Sequence, residues 1–396
     1  MKLSDFQYEF PDELVAQTPL PERDRSRLLV WDGRSGQKND SVFSRLAGEL
    51  RSVFSAAGKS PILLLVNDSK VYPARVRIRK ESGARGEVLI LSPQRDTDIS
   101  CLLRPAKKLK VGDVLLCESS GRPAFLVKNL NPPLVDNVSG VSLQELMDEQ
   151  GEMPLPPYIE RDPAQISDPS VSAMDRLRYQ TVYARHVGSS AAPTAGLHFT
   201  SAVLEDCAAN QISVCGVTLH VGLGTFQPVK VDNVDEHTMH VEHCTIPTAT
   251  MQKIIEHAEN RWPIVFVGTT SFRAVESVLL NALGWSLKDA CLRPGEGLLS
   301  LFEKRSVPKD KLMGIANEWI QSDLFIRPSS KTSIYRPVCG DGIITNFHQP
   351  ESTLVMLISA LLGYENWKTL YTHAVTSGYR LFSYGDSSLL IFPGAQ

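Results

Sequence analysis

Pro263-Ile264-Val265-Phe266-Val267-Gly268-Thr269-Thr270-Ser271-Phe272-Arg273-Ala274-Val275-Glu276-Ser277-Val278-Leu279-Leu280-Asn281-Ala282-Leu283-Gly284 is the stretch whose reading decides the fold. Four consecutive apolar residues, two of them valine, read as a strand buried on both faces. A glycine and three hydroxyl residues follow, and then a run with helical spacing from Phe272 to Leu283, ended at Gly284. Strand, polar turn and helix in immediate succession are the unit of an α/β domain. Ser271 reads as the helix N-cap, and the turn could hold an anion through its backbone N–H groups. As a cap alone it needs no function. Arg273 and Glu276, three apart, read equally well as a simple pair on the helix surface.

The same alternation continues on both sides. Helices are expected over Ala202–Asn210, Ala249–Asn260, Ser352–Leu362 and Trp367–Gly378, and strands over Ile212–His220, Gly342–Phe347 and Tyr379–Ile391. Upstream, Pro61-Ile62-Leu63-Leu64-Leu65-Val66 is another buried strand. Between 67 and 157 the texture changes to short β-type runs divided by Gly, Pro and charged turns: Val71–Ile78, Gly86–Leu91, Asp98–Leu103, Asp113–Cys117 and Ala124–Leu130, with one helix over Ser142–Gln150. Such spacing suggests a small all-β barrel or sandwich. The organisation expected is an α/β domain made of residues 1–66 and 158–396, interrupted by an inserted β-barrel domain at 67–157. Met153-Pro154-Leu155-Pro156-Pro157 would be its stiff exit.

Composition excludes several classes. Hydrophobic residues at 42% and charged residues at 21% are ordinary for a soluble globular protein. The start has no basic segment followed by an apolar one, and no apolar run is long enough to span a bilayer, so a cytoplasmic location is expected. Cys101, Cys117, Cys207, Cys215, Cys244, Cys291 and Cys339 are odd in number and scattered, which disfavours a disulfide framework or a Cys-rich zinc site. The net charge of −3 does not describe a general nucleic-acid binder. Yet residues 67–128 carry a local +6, with 13 Lys and Arg against 7 Asp and Glu. Arg75, Arg77 and Arg79 share one strand face, and Arg104, Lys107, Lys108 and Lys110 form a second cluster. A solvated sheet face and a phosphate-backbone contact surface are both open readings.

Chemistry-bearing residues concentrate in short words beside the strands. Besides Gly268-Thr269-Thr270-Ser271 they are Pro193-Thr194-Ala195-Gly196-Leu197-His198-Phe199-Thr200, Leu219-His220-Val221-Gly222-Leu223-Gly224-Thr225-Phe226, His237-Thr238-Met239-His240-Val241-Glu242, Thr345-Asn346-Phe347-His348 and Phe382-Ser383-Tyr384-Gly385-Asp386. Strand ends are where α/β proteins bind ligands. Dinucleotide, Walker, H-E-x-x-H and G-x-S-x-G motifs are all absent. His237, His240 and Glu242 lie close enough to hold a divalent ion, which keeps a metal-dependent hydrolase as one alternative, and a non-catalytic tRNA-binding protein as another. Any single histidine here reads as readily as a hydrogen-bonded core residue.

Together with Asp5-Phe6-Gln7-Tyr8-Glu9-Phe10-Pro11, Pro21-Glu22-Arg23-Asp24-Arg25-Ser26-Arg27-Leu28, Asn67-Asp68-Ser69-Lys70-Val71-Tyr72-Pro73-Ala74-Arg75 and Tyr179-Gln180-Thr181-Val182-Tyr183-Ala184, these words closely resemble the S-adenosylmethionine:tRNA ribosyltransferase-isomerases of queuosine biosynthesis. The likeness covers nearly the whole chain; it is weakest at 118–140 and between Ile326 and Gly340. It implies a β-barrel inserted into an α/β domain. It also implies transfer and isomerisation of the ribosyl group of S-adenosylmethionine onto 7-aminomethyl-7-deazaguanine at the tRNA wobble position. Epoxyqueuosine forms, and adenine and methionine leave. S-adenosylmethionine is then a consumed co-substrate, with no metal or dissociable cofactor. No membrane partner is expected from the sequence, and nothing in it demands more than a monomer. On that footing His198, His220, His240 and His348 are acid–base candidates, with Glu242 or Asp386 near the sulfonium. Thr194, Gly222, Gly224, Thr269, Thr270, Ser271, Arg273, Asn346 and Tyr384 are substrate-binding candidates, and Arg75, Arg77, Arg79, Lys107 and Lys108 are tRNA-binding candidates.

Overall fold

The computed structural model describes all residues except 55–59, 92, 94, 163–164, 166–167, 223–228, 288–289, 291–296, 304–308 and 395–396. Gly224 and Cys291 therefore lie outside the described residues. The strands run β1 (Arg27–Asp32), β2 (Gln37–Val42), β3 (Ile62–Asn67), β4 (Ser69–Val71), β5 (Arg75–Arg79), β6 (Arg85–Ile90), β7 (Ile99–Arg104), β8 (Val114–Cys117), β9 (Pro123–Leu130), β10 (Pro133–Asn137), β11 (Gly151–Glu152), β12 (His186–Ser189), β13 (Ile212–His220), β14 (Glu242–Thr245), β15 (Ile264–Val267), β16 (Ile320–Ser322), β17 (Gly342–Asn346) and β18 (Ser387–Ile391). The helices are α1 (Leu46–Val53), α2 (Leu143–Gln150), α3 (Pro169–Arg178), α4 (Ser201–Ala209), α5 (Thr248–Asn260), α6 (Thr269–Leu283), α7 (Leu298–Glu303), α8 (Lys309–Gly314), α9 (Thr353–Leu362) and α10 (Tyr364–Thr376).

The apolar run of β3 places it in the middle of a nine-stranded sheet ordered β16-β14-β13-β3-β15-β17-β18-β1-β2. Its neighbours β13 and β15 are parallel to it, and β17 is parallel to β15, so four parallel strands form the centre. Both faces of β3 are covered. Leu63 and Leu65 enter the core beneath α5, α6, α9 and α10, whereas Ile62, Leu64 and Val66 enter a second core with α1 and α4. Alternation along a strand thus feeds two helical layers.

The basic segment forms a separate antiparallel sheet, β11-β5-β6-β7-β10-β9-β8. Pairing of Ile78 and Arg79 with Cys117 and Leu116 joins β5 to β8, closing six of the strands into a barrel. Val76, Ile78, Val88, Phe125 and Val135 fill its interior. The Ser142 hydroxyl accepts from the Glu145 N–H while the Glu145 carboxylate accepts from the Ser142 N–H, and this reciprocal cap starts α2.

Three expectations are corrected. A strand over 379–391 is confined to Ser387–Ile391, because residues 379–386 form a turn held by Asp386, whose carboxylate accepts the N–H groups of Arg27 and Arg380 (both 2.8 Å). The helix after β15 begins at Thr269, and its cap residue is Gly268, not Ser271. At φ 89° and ψ 153°, Gly268 occupies backbone space open essentially to glycine, which lets the chain turn from strand into helix without a loop. The Ser271 hydroxyl instead donates to the carbonyls of Val267 (2.7 Å) and Gly268 (2.9 Å). Finally, Arg273 and Glu276 do not pair. Glu276 accepts the Tyr335 hydroxyl and the Val338 N–H, and Arg273 reaches Glu242 on β14. No disulfide occurs among the described residues, where five of six cysteines are buried.

Candidate active site

Two clefts lie at the carboxyl ends of the central parallel strands. The more enclosed, about 690 Å³ including its mouth, is lined by Thr194, Thr269, Thr270, Asn346 and His348, all expected from the sequence. Tyr158, Gln349, Ser352 and Ser383 line it too. The second, about 990 Å³, contains His220, Gly222 and Glu242 with His243 and Trp319. Val221 lines both, so the two adjoin. This placement follows the general rule that ligands of open α/β sheets bind beyond the strands' carboxyl ends.

Asn346, the last residue of β17, is fully committed on one side and open on the other. Its Nδ2 donates to the carbonyls of Phe382 (3.1 Å) and Asp386 (3.3 Å) and to His198 Nε2 (3.2 Å). Two carbonyl acceptors fix which end of the amide is nitrogen. His198 Nε2 must then accept, so its proton sits on Nδ1 and is donated to Ser26 Oγ (2.7 Å). Burial, reinforced by the nearby Arg23 charge, pushes the His198 pKa down to about 3, in keeping with a neutral ring. His198 is thereby a positioning residue for Asn346. It borders a neighbouring shallow depression with Tyr384 and does not line the main cleft.

Asn346 Oδ1 and Thr270 Oγ1 are buried without a hydrogen-bond partner among the described residues, and both residues line the enclosed cleft. Unpaired buried polar atoms are costly in an empty protein and useful to a polar ligand. Beside them, the first turn of the 15-residue α6 offers N–H groups that have no acceptor within the helix, at its positive end. A carboxylate suits that end. His348 adds a ring whose Nε2 is hydrogen-bonded to Thr345 Oγ1 (2.9 Å) and whose pKa burial lowers to about 3. A neutral imidazole can accept a proton, which is the capacity a general base needs.

In the second cleft His220 Nδ1 meets Ser69 Oγ (2.8 Å), and burial, then the neighbouring His186 and His243, lower its pKa to about 4. Glu242 approaches Arg273 to 2.6 Å with both side chains 4% exposed, and its Oε1 accepts the Gly222 N–H (3.3 Å). Arg273 therefore neutralises Glu242 from behind rather than lining either cleft. Burial raises the Asp386 carboxyl above its usual range, and its bonds to backbone N–H groups make it a turn-former outside both linings. Tyr384 directs its hydroxyl to Asp175 (3.5 Å). His240 is exposed and lines neither cleft. His237 packs edge-on to Phe325. Among the described residues no group of three His, Cys, Asp or Glu is arranged to hold a metal, which leaves the hydrolase alternative without a centre there.

The basic candidates separate into two sets. Arg75 pairs with Glu87 (3.5 Å) and Arg77 with Glu152 (2.8 Å), and Arg79 packs against Gly121. Lys107 and Lys108 are exposed in a short 3₁₀ turn after Arg104, and no salt bridge holds them among the described residues.

The fold and its clefts define an α/β enzyme carrying an inserted barrel, with a polar small-molecule site at the strand ends. The chain belongs to the queuosine biosynthesis protein family, which it matches over residues 3–390. The S-adenosylmethionine:tRNA ribosyltransferase-isomerase of Staphylococcus saprophyticus is 38% identical over 395 residues, spanning 99% of this chain and 100% of that one. A crystal structure of the S-adenosylmethionine tRNA ribosyltransferase of Thermotoga maritima aligns over 98% of this chain and 99% of its own, at 25% identity and a TM-score of 0.46.

Proposed function

We propose that this protein transfers and isomerises the ribosyl moiety of S-adenosylmethionine to 7-aminomethyl-7-deazaguanine at the tRNA wobble position, giving epoxyqueuosine-tRNA, adenine and methionine. The observation that carries the reading is the end-to-end match to the family and to a relative bearing that activity in its name. S-adenosylmethionine is consumed, and no dissociable cofactor enters.

The chemistry fits the clefts. A sulfonium acidifies the adjacent ribose C5′ protons, so a positioned base can remove one to give an ylide, and the ribosyl-derived carbon is joined in the product to the nitrogen of the base's aminomethyl group as adenine and methionine leave. His348, held neutral, is the base candidate in the enclosed cleft, with His220 the candidate next door. The α6 N-terminus with Thr269 and Thr270 suits the methionine carboxylate, and Asn346 Oδ1 suits a donor N–H or O–H of the adenosine half. Thr194 completes that wall. Glu242 offers negative charge toward the sulfonium from the adjoining cleft, tempered by Arg273. The barrel lysines would meet tRNA phosphates. We further propose a cytoplasmic monomer, since each cleft is assembled within one chain; no described helix is long and apolar enough to cross a membrane.

Incubating the purified protein with S-adenosylmethionine and tRNA bearing the aminomethyl-deazaguanine base tests the reading. Nucleoside mass spectrometry should show the epoxycyclopentanediol adduct together with free adenine and methionine. Unchanged nucleoside in the presence of tight tRNA binding would refute it.

A further inference from the structure

The structure contains a flat aromatic stack whose tryptophan the chemistry above does not use. Trp319, the residue before β16, lies over the His220 ring with centroids 5.1 Å apart and planes 21° from parallel. Gly188 crowds the same ring: a Cβ built there would stand 2.6–2.7 Å from three atoms of the imidazole at once, so the backbone of β12 abuts it. With Nδ1 on Ser69 Oγ as well, His220 is clamped in orientation. The indole that closes this stack is nevertheless 52% exposed, a large area for a tryptophan beside a cleft. Val241, which lines the same cleft, is 55% exposed.

We propose that Trp319 is the stacking platform for the unpaired deazaguanine base of the tRNA loop, so that the base occupies the Trp319 cleft while the ribosyl donor occupies the enclosed one. The proposal rests on the function given above. An unstacked loop base is recognised by stacking on an aromatic ring together with contacts to its polar edge. The rim favours a polynucleotide over a free nucleoside. Arg185 and Lys70 are exposed at the β4–β12 ribbon that delivers Gly188 to the stack, and their side chains suit flanking phosphates. Leu91, just past the end of barrel strand β6, borders the cleft as well, which places the base site beside the barrel. Because the two clefts share Val221, a base seated on Trp319 would adjoin the donor.

The test uses the full-length protein, S-adenosylmethionine and an anticodon stem-loop RNA carrying 7-aminomethyl-7-deazaguanine. Trp319→Ala should weaken stem-loop binding roughly 5- to 150-fold, the span of one aromatic–base stack, with the affinity for S-adenosylmethionine unchanged. Trp319→Phe should recover most of that loss. Stem-loop binding should quench tryptophan emission in the native protein, and Trp319→Phe should abolish the quench although four other tryptophans remain. Unchanged RNA affinity in Trp319→Ala, a loss confined to S-adenosylmethionine binding, or a quench that persists in Trp319→Phe would each overturn the proposal. A ring needed only to brace His220 would lower turnover in Trp319→Ala without weakening RNA binding, and so falls with those outcomes. Failure of the functional reading looks different: the native protein itself would release no adenine.

Discussion

At the scale of single residues the site is built from polar atoms left deliberately unmatched and from histidines kept neutral. Thr270 Oγ1 has no partner among the described residues, so Thr270→Val should leave folding stability within about 1 kcal/mol of the native value, or raise it. The same change should weaken S-adenosylmethionine binding by about 1 kcal/mol, read by calorimetric titration. Equal losses in both measurements would show that the hydroxyl serves the fold. The histidines predict a pH dependence of known sign. His198 and His348, at about 3, and His220, at about 4, titrate below the ordinary value of 6.5. The unfolded chain therefore binds more protons than the folded one between those limits, and stability is lost as pH falls from about 6.5. Each such group contributes a slope of about 1.4 kcal/mol per pH unit within the window. Urea unfolding at a series of pH values should show this slope between pH 6 and 4, and His348→Gln should reduce it by that increment. An unchanged slope would mean that His348 is already charged or is not buried in solution.

At the scale of elements the decisive feature is how a strand hands the chain directly to a helix. Gly268 at φ 89° allows α6 to begin at the strand's end, and its N–H donates to the Ile344 carbonyl of β17 (2.8 Å). Gly268→Ala has room for its methyl, the nearest atom being Ala195 Cβ at 3.6 Å, so the cost is one of backbone strain. We expect a loss of about 1–3 kcal/mol, measured by thermal or urea unfolding, and a larger proportional loss in S-adenosylmethionine affinity because the helix N-terminus shifts. Unaltered stability would show that the backbone relaxes freely. This junction also explains what the sequence could and could not disclose. The apolar runs of β3, β15 and β17 and the amphipathic helices between them were legible because burial on both faces leaves an unbroken apolar signature. The cap was misassigned to Ser271 because a serine before an apolar run is the commoner signal, and only the dihedral angles of Gly268 show otherwise. β10 escaped because a strand entered through Pro132-Pro133 and carrying Asp136 and Asn137 has the composition of a turn, though it pairs on both sides within the barrel. Thr194, Thr269, Thr270, Asn346 and His348 could be picked from sequence as polar residues at strand ends. Trp319 could not, for it sits in an unremarkable stretch and gains meaning only by lying over His220, 99 positions away in the chain.

At the scale of the whole molecule, an overall charge of −3 conceals a stretch of +6 at residues 67–128, and the structure divides that charge by its partners. Arg75 and Arg104 share Glu87, Arg77 meets Glu152, and Lys80 meets Asp113, so much of the positive charge is spent on cross-strand and interloop pairs. Such pairs add modestly to stability, and each arginine engaged in one has less to offer a phosphate. Lys107 and Lys108, exposed and outside any salt bridge among the described residues, retain their full charge for a polyanion. Counterion release gives this distinction a measurable form, because each lysine that neutralises a phosphate contributes about 0.7–0.9 to the slope of log affinity against log salt. Replacing both by glutamate should weaken tRNA binding at low salt and reduce that slope by roughly 1.4–1.8, with folding stability unchanged. Arg77→Glu should behave in the opposite way, setting two carboxylates against each other at Glu152 and lowering barrel stability more than it alters the salt slope. Filter binding across a salt series, run beside urea unfolding of the same variants, separates the cases. If the arginine variant carried the slope change and the lysine variant did not, tRNA would have to approach the face of β5 and displace its ion pairs, and the path from barrel to Trp319 would need to be redrawn along that strand.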